Sequence, residues 1–283
     1  MIIVTGATGQ LGHLVINALL ETTPADQIIA AVRSPEKAAD LAAKGVVVRH
    51  ADYDQPATLL SAFQGAEKLL LISSSEVGKR AAQHTAVVDA AQAAGVKLIA
   101  YTSLLHADQS PLALAQEHVI TEQKLAASGV PFVLLRNGWY TENYLASLPT
   151  ALEHGVVLGA AGEGKIASAP RADYAAAAAA VITAEEEQAG KIYELAGDTA
   201  YTLAEFAHYI MEATGKTVSY QNVPEEELAK VLVDAGLPEG FANILADSDA
   251  GAAKGALFDD SHQLSKLIGR TTTPMTVSVK AAI

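Results

Sequence analysis

The chain has 283 residues, half of them hydrophobic, and a formal net charge of -13; it can bury a large core in one or two domains, and the charge excludes the basic stripe of a nucleic-acid surface. The absence of cysteine rules out disulfides, Cys-zinc sites and thiolate catalysis, and the eight histidines are scattered without metal-ligand spacing, so no metal is expected. No apolar run approaches the ~18 residues of a membrane span and the N-terminus enters a strand with no basic-then-apolar leader, so a cytoplasmic location and no membrane partner are expected.

Ile2 to Val4 is a β-branched run that reads as a buried strand. It breaks into Gly6, Gly9 and Gly12, after which Leu11, Leu14, Val15, Ala18 and Leu19 recur at helical spacing. Strand, glycine turn and helix in that order form the context of a dinucleotide fingerprint. Gly6 can turn tightly, Gly9 lets the backbone approach a pyrophosphate, and Gly12 lets the helix pack hard on the strand. The helix then presents its unpaired N–H groups to phosphates. Gly6, Thr8, Gly9, Gln10, Leu11 and Gly12 are the expected contacts, with a bare structural turn as the alternative.

A second strand, Ile28 to Val32, a short helix from Glu36 to Lys44 and a third strand, Val46 to Val48, come next. Helix Ala57 to Phe63 leads to strand Leu69 to Ile72, which opens into Ser73-Ser74-Ser75. A helix from about Val77 to Ala94, strand Leu98 to Tyr101, helix Leu114 to Ala127 and a sixth strand, Phe132 to Leu135, complete the series. Such alternation implies a doubly wound parallel sheet, a Rossmann-type α/β fold with ligands at the carboxyl ends of its strands. Beyond Arg136 strands thin out, and glycines and polar turns gather around Gly155 to Gly164. The six alanines Ala175 to Ala180 read as a flat helix packed on the sheet, Glu185 to Glu187 as a solvated helix end, and Lys191 to Leu195 as a strand returning to the main sheet. Helices near Leu203 to Ala213 and Glu225 to Ala235, a strand at Val218 to Gln221 and final helices from Ser261 make a smaller C-terminal α/β lobe. The expected division is 1–136 for nucleotide binding, with 171–197 returning to its sheet, and 137–283 as the lobe that shapes a substrate pocket.

At the tip of the second strand, where a carboxylate normally takes the adenosine ribose, this chain carries Arg33, with Ser34 beside it and Lys37 one turn on. An arginine fork binds a 2′-phosphate that a carboxylate would repel, which favours NADPH over NADH; a solvent-facing arginine is the alternative. Asp52, after the third strand, is expected to accept from the adenine amino group with Tyr53 stacked nearby, or else to be a turn aspartate. Ser73, Ser74 and Ser75 are expected to run beside the nicotinamide-side ribose, or else to be turn formers.

The tyrosine–lysine pair of familiar short-chain reductases, four apart on the helix after the fifth strand, is missing. His118 lies near the tyrosine's place and Glu122 takes the lysine's, while Lys124 is out of register; as i,i+4 neighbours His118 and Glu122 read as a surface pair in preference to a catalytic one. After the sixth strand, Asn137 and Gly138 lead into Trp139, Tyr140, Asn143 and Tyr144, an aromatic–amide mixture suited to flat ligands with carbonyl acceptors, or else a set of buried aromatics. His106, after the fifth strand, is either a proton donor or a polar loop residue.

Together, Thr5-Gly6-Ala7-Thr8-Gly9-Gln10-Leu11-Gly12, Tyr101-Thr102-Ser103, and Leu135-Arg136-Asn137-Gly138-Trp139-Tyr140-Thr141-Glu142-Asn143-Tyr144 resemble the NmrA-like group of atypical short-chain dehydrogenases/reductases. The resemblance continues through Gly164-Lys165-Ile166-Ala167-Ser168, Arg171-Ala172-Asp173-Tyr174-Ala175 and Leu257-Phe258-Asp259-Asp260, and is greatest to the bacterial NADPH-dependent quinone oxidoreductases. It implies an NADPH cleft, a hydrophobic pocket under the C-terminal lobe, and substrate contact by the asparagine matching Asn143; Asn137, Gly138 and Trp139, coming from the carboxyl end of the sixth strand, are expected at the nicotinamide. NADPH is the expected cofactor, without flavin or metal, and a quinone the expected substrate. A quinone needs little general-acid help: placement supplies much of the acceleration, and the Asn143 amide can steady charge on the carbonyl oxygen while Trp139 and Tyr140 wall the ring. The alternative is a non-catalytic NADP(H)-binding redox sensor. A monomer is favoured, because no helix shows an obvious exposed apolar stripe.

Overall fold

A computed structural model describes residues 1–283. The chain opens with β1 (Ile2–Thr5), α1 (Gln10–Leu20), β2 (Ile28–Val32), α2 (Ala39–Ala43), β3 (Val47–His50), α3 (Pro56–Phe63) and β4 (Lys68–Leu71). It continues through α4 (Arg80–Ala93), β5 (Leu98–Leu104), α5 (Ala115–Ser128), β6 (Phe132–Asn137), α6 (Thr141–Leu145), α7 (Leu148–His154) and β7 (Val156–Gly159). It closes with α8 (Arg171–Thr183), β8 (Ile192–Leu195), α9 (Leu203–Thr214), β9 (Ser219–Asn222), α10 (Glu225–Asp234), α11 (Glu239–Ala252), α12 (Gln263–Ile268) and α13 (Met275–Ala282). Two compact units divide these elements. Unit 1 comprises Met1–Ala107, Gln116–Asn137 and Arg171–Tyr193; unit 2 comprises Asp108–Ala115, Gly138–Pro170 and Glu194–Ile283.

The doubly wound parallel sheet expected from the alternating pattern is present, with seven strands in the order β3-β2-β1-β4-β5-β6-β8. β1 lies between β2 and β4, so the strand order reverses there, at the switch point where such folds bind ligands. Every residue of β2 and β5 is buried, as both-sided helix cover requires. On one face Ile3, Ile29, Leu69, Leu71, Ile99 and Tyr101 pack with Leu59, Phe63, Val87 and Leu125 from α3, α4 and α5. On α8, Ala175, Ala177, Ala178 and Ala179 are buried; the helix lies along α1 and also meets β4 and β5, so its small side chains serve helix–helix as well as helix–sheet packing.

Unit 2 is the smaller α/β assembly, built on the parallel pair β7–β9 with Val156 opposite Ser219 and Gly159 opposite Asn222. A capping box starts α9: Thr202 Oγ1 accepts from the Glu205 N–H and Glu205 accepts from the Thr202 N–H. β7 lies where only turns were expected. Its three apolar residues are too short a run to signal a strand until β9 pairs with them. The helix expected over Glu36 to Lys44 is also different: Pro35 opens a 3-10 turn to Ala38, and only Ala39–Ala43 is α-helical. β5 and β6 run further than expected, into Ser103↔Arg136 and Leu104↔Asn137, because their polar side chains find partners on α5.

Gly12 allows no side chain. A Cβ there would collide with the Gly6 carbonyl oxygen and stand 2.8 Å from the Ala7 Cα, and neither atom can swing aside. Gly12→Ala is expected to cost roughly 1–3 kcal/mol of unfolding free energy in urea titration, the usual range for overpacking. Gly9→Ala, with φ -74° and one 3.1 Å neighbour, is expected to lose distinctly less.

Candidate functional site

The turn after β1 is a cradle built from backbone. Gly6 has a φ of 60°, and the Gly9 N–H donates to its carbonyl at 2.9 Å. Gly9 then N-caps α1 with no side-chain bond, so the first amides of α1 are left to a ligand. Thr5 Oγ1 accepts from the Ile72 N–H at 3.1 Å, which ties the exit of β1 to the exit of β4. A pyrophosphate fits this turn: the glycines leave the helix end bare, and Thr8 and Gln10 beside it are exposed.

The remaining expected residues of unit 1 lie at the carboxyl ends of neighbouring strands. Arg33 follows β2, and its Nη1 donates to Glu76 Oε1 at 2.9 Å in the loop after β4. Asp52 follows β3, where its two carboxylate oxygens accept from the Asp54 N–H at 3.0 Å and the Gln55 side chain at 2.8 Å, the work of a turn aspartate. Tyr53 packs edge-on against His84 and donates to the Ile72 carbonyl at 3.2 Å. His106 follows β5 in left-handed backbone, φ 51°, and Asn137 ends β6, where its carbonyl accepts from the Leu105 N–H at 3.0 Å.

Ser73, Ser74 and Ser75 follow β4, and buried groups not foreseen from the sequence hold the first two. The Ser73 N–H donates to Thr102 Oγ1, and the Ser74 N–H donates to His84 Nε2, both at 2.9 Å. That second bond fixes the tautomer: His84 carries its proton on Nδ1 and gives it to Thr121 Oγ1, also at 2.9 Å. Burial and the nearby Arg80 charge push the His84 pKa down to about 3, so it stays neutral. Glu117 accepts from the backbone N–H groups of Gly78 and Arg80, capping the start of α4.

The expected surface pair His118–Glu122 does not exist. His118 is buried: its Nε2 faces the Arg80 guanidinium at 3.4 Å and must accept, so Nδ1–H donates to the Tyr101 hydroxyl at 2.8 Å. Burial first, then Arg80 and His84, lower its pKa to about 3. Glu122 turns to β5 and β6 instead, accepting from Ser103 Oγ at 2.6 Å and bidentately from Arg136 at 3.0 and 2.7 Å. The Arg136 and Glu122 side chains are only 8% and 11% exposed, so the pair is a buried structural clamp. Lys124 pairs with Asp89 at 2.6 Å, away from this clamp.

In unit 2 the Gly138 N–H donates to the Leu195 carbonyl at 2.7 Å, Trp139 is buried, and Tyr140 bridges to Ala169. Asn143 lies on α6, which is pinned by its neighbours. Thr141 Oγ1 and Ser168 Oγ are 2.9 Å apart, Ser168 Oγ and the Tyr201 hydroxyl 2.8 Å, and Tyr144 donates to Asp249 Oδ1 at 3.2 Å. Thr141 and Tyr144 are buried while Asn143 is half-buried. Asp249 Oδ2 also accepts from the Ala160 N–H at 3.1 Å. Burial pushes the Asp249 pKa up to about 6, only partly offset by the Ala160 and Tyr144 hydrogen bonds. No cluster of three metal-capable side chains occurs, and no helix is long and apolar enough to cross a membrane.

The model of the NmrA-like family matches residues 1–275. Quinone oxidoreductase 2 of Escherichia coli (strain K12) is 64% identical over 279 residues, covering 99% of this chain and 97% of that protein. A crystal structure of an NADPH-dependent quinone oxidoreductase from Escherichia coli, complexed with NADPH, matches with a TM-score of 0.97, 64% identity and 99% of each chain covered. The triphenylmethane reductase of Citrobacter sp., complexed with NADP(H), matches with a TM-score of 0.96, 44% identity and 100% of each chain covered.

Asp249 gives a pH-dependent prediction. Its folded pKa of about 6 lies above the ordinary 3.8, so its protonated form stabilises the fold at low pH and that contribution is lost as pH rises through the folded pKa. Asp249→Asn is expected to gain stability relative to the parent between about pH 4 and pH 7, by up to about 3 kcal/mol. Urea unfolding of both proteins across that range checks it; a difference independent of pH contradicts the assignment.

Proposed function

The chain belongs to the NmrA-like family, and from that premise we infer that it is an NADPH-dependent oxidoreductase reducing quinones to hydroquinones in a two-electron step. The 64% identity over nearly the whole of both chains to a quinone oxidoreductase of Escherichia coli carries this reading. Bound NADPH supplies the hydride. Gly6, Thr8, Gly9, Gln10, Leu11 and Gly12 hold the pyrophosphate at the start of α1, and Arg33 takes the 2′-phosphate. Asp52 serves the adenine side, Ser73, Ser74 and Ser75 the nicotinamide-side ribose, and Asn137, Gly138 and Trp139 complete the coenzyme contacts.

Catalysis rests on orientation. Reduction of a quinone gives an aromatic hydroquinone anion of modest basicity, so a strong acid is unnecessary and placement supplies much of the acceleration. The Asn143 side-chain amide donates to the substrate carbonyl oxygen as charge grows on it. Trp139 and Tyr140 flank the ring. The final proton comes from solvent, or from His106 in the turn after β5. The chain works as a monomer on a small-molecule quinone.

Mixing the protein with NADPH and a panel of benzoquinones is expected to consume NADPH with matching formation of hydroquinone, and NADH more slowly. Binding of oxidised and reduced coenzyme without consumption would mark a sensor instead. Asn143→Ala is expected to lower turnover on small benzoquinones roughly ten- to a thousandfold, its upper part being the loss seen when other oxyanion sites lose a donor. Full activity in that variant, with NADPH still bound, removes Asn143 from the mechanism.

A further inference from the structure

Two cations converge on one carboxylate at the tip of β2. Arg33 Nη1 donates to Glu76 Oε1 at 2.9 Å, and Lys79 Nζ donates to Glu76 Oε2 at 3.1 Å. Both cations are largely exposed, whereas the Glu76 side chain is 33% exposed. Glu76 is fixed from behind: its N–H donates to Ser74 Oγ at 3.1 Å, in the loop that His84 and Thr102 anchor. Lys79 first and Arg33 second hold its carboxyl below the usual range, so it remains an anion at neutral pH. The Asp54 carboxylate adds a further attraction on Lys79. An anion gripped by an arginine fork and a lysine occupies the partner set that a phosphate monoester would take.

Resting on the coenzyme reading above, in which Arg33 receives the 2′-phosphate, we propose that Glu76 is a built-in competitor for that phosphate and sets how strongly the chain prefers NADPH to NADH. The guanidinium that would meet the phosphate already gives an N–H to Glu76, so binding has to draw on a shared donor. The incoming dianion also meets the Glu76 charge across the same guanidinium. Both effects weaken the grip on a 2′-phosphate, and neither touches a coenzyme that lacks one. Glu76 therefore narrows the preference that Arg33 creates and eases release of NADP⁺. It acts through Arg33 and Lys79, as a specificity determinant outside the catalytic group.

Calorimetric titration with NADPH, NADH and the fragment 2′,5′-ADP tests this without turnover. Glu76→Gln is expected to bind NADPH and 2′,5′-ADP roughly two- to fivefold more tightly, the upper scale of one exposed ion pair. NADH should change by less than about twofold, and the gain should shrink with added salt. Glu76→Asp, which keeps the charge, should stay near the parent, and Arg33→Ala combined with Glu76→Gln should lose the gain. Unchanged or weaker 2′,5′-ADP binding in Glu76→Gln overturns the proposal, as does equal tightening of NADH. A parent protein that prefers NADPH, with an indifferent Glu76→Gln variant, sinks this inference alone; a parent that binds neither coenzyme sinks the coenzyme reading as well.

Discussion

One backbone contact sets the coenzyme end of this chain: the start of α1 pressed against the Gly6 carbonyl. Because Gly12 has no Cβ, α1 approaches until its third residue touches the strand exit, and α1 stays alongside α8. That approach leaves the amides beginning at Gln10 aimed past the turn with no capping side chain. A larger residue at position 12 would lift the helix away, and the row of N–H groups would lose its common focus. Arg33 and the serine loop leave the sheet on either side of this origin, after β2 and β4. Thr5 carries the origin to β4, through the bond between its hydroxyl and the Ile72 N–H.

α5 shows how the fold compensates for an absent catalytic pair. Where a tyrosine and a lysine would face the reaction, His118 and Glu122 face inward. His118 joins Tyr101 to Arg80, Glu122 joins Ser103 to Arg136, and Glu117 caps α4. One helix face thereby holds the exits of β5 and β6 and the entrance of α4. A buried arginine–carboxylate pair adds little net stability, yet removing one partner strands the other charge at a cost of about 3–5 kcal/mol. The arrangement resists loss of either partner for that reason, and it ties the ends of β5 and β6 to one helix.

Much of this was legible in the sequence wherever the signal was local. The glycine turn, the alternating strands of the sheet and the alanine helix each depend on residues within about twenty positions of one another. The turn bonds of Asp52 were legible too, because their partners Asp54 and Gln55 are close in the chain. What stayed hidden has its partners distant in the chain. Glu122 looked like a surface residue because Arg136 lies fourteen positions on and Ser103 nineteen back. Arg33 stood out as a phosphate ligand, but Glu76 is forty-three residues away and gave no sign of facing it. β7 was hidden for the same reason, since its partner β9 begins at Ser219.

The inward turn of these histidines also bears on the chemistry. An alcohol-forming reductase must deliver a proton to a strongly basic alkoxide, so it needs an acid poised near neutrality. His84 and His118 cannot serve, because each has both ring nitrogens engaged and a pKa pushed to about 3. At neutral pH their N–H protons are committed to Thr121 and Tyr101, and burial opposes a second proton on either ring. Tyr101 is no better as a donor, since burial raises its pKa further above neutrality and its side chain is fully enclosed. The buried equipment on α4, β5 and α5 is therefore wrong for protonating an alkoxide. It suffices for a quinone, whose reduced form gains aromaticity and holds its negative charge well enough to wait for a proton from water.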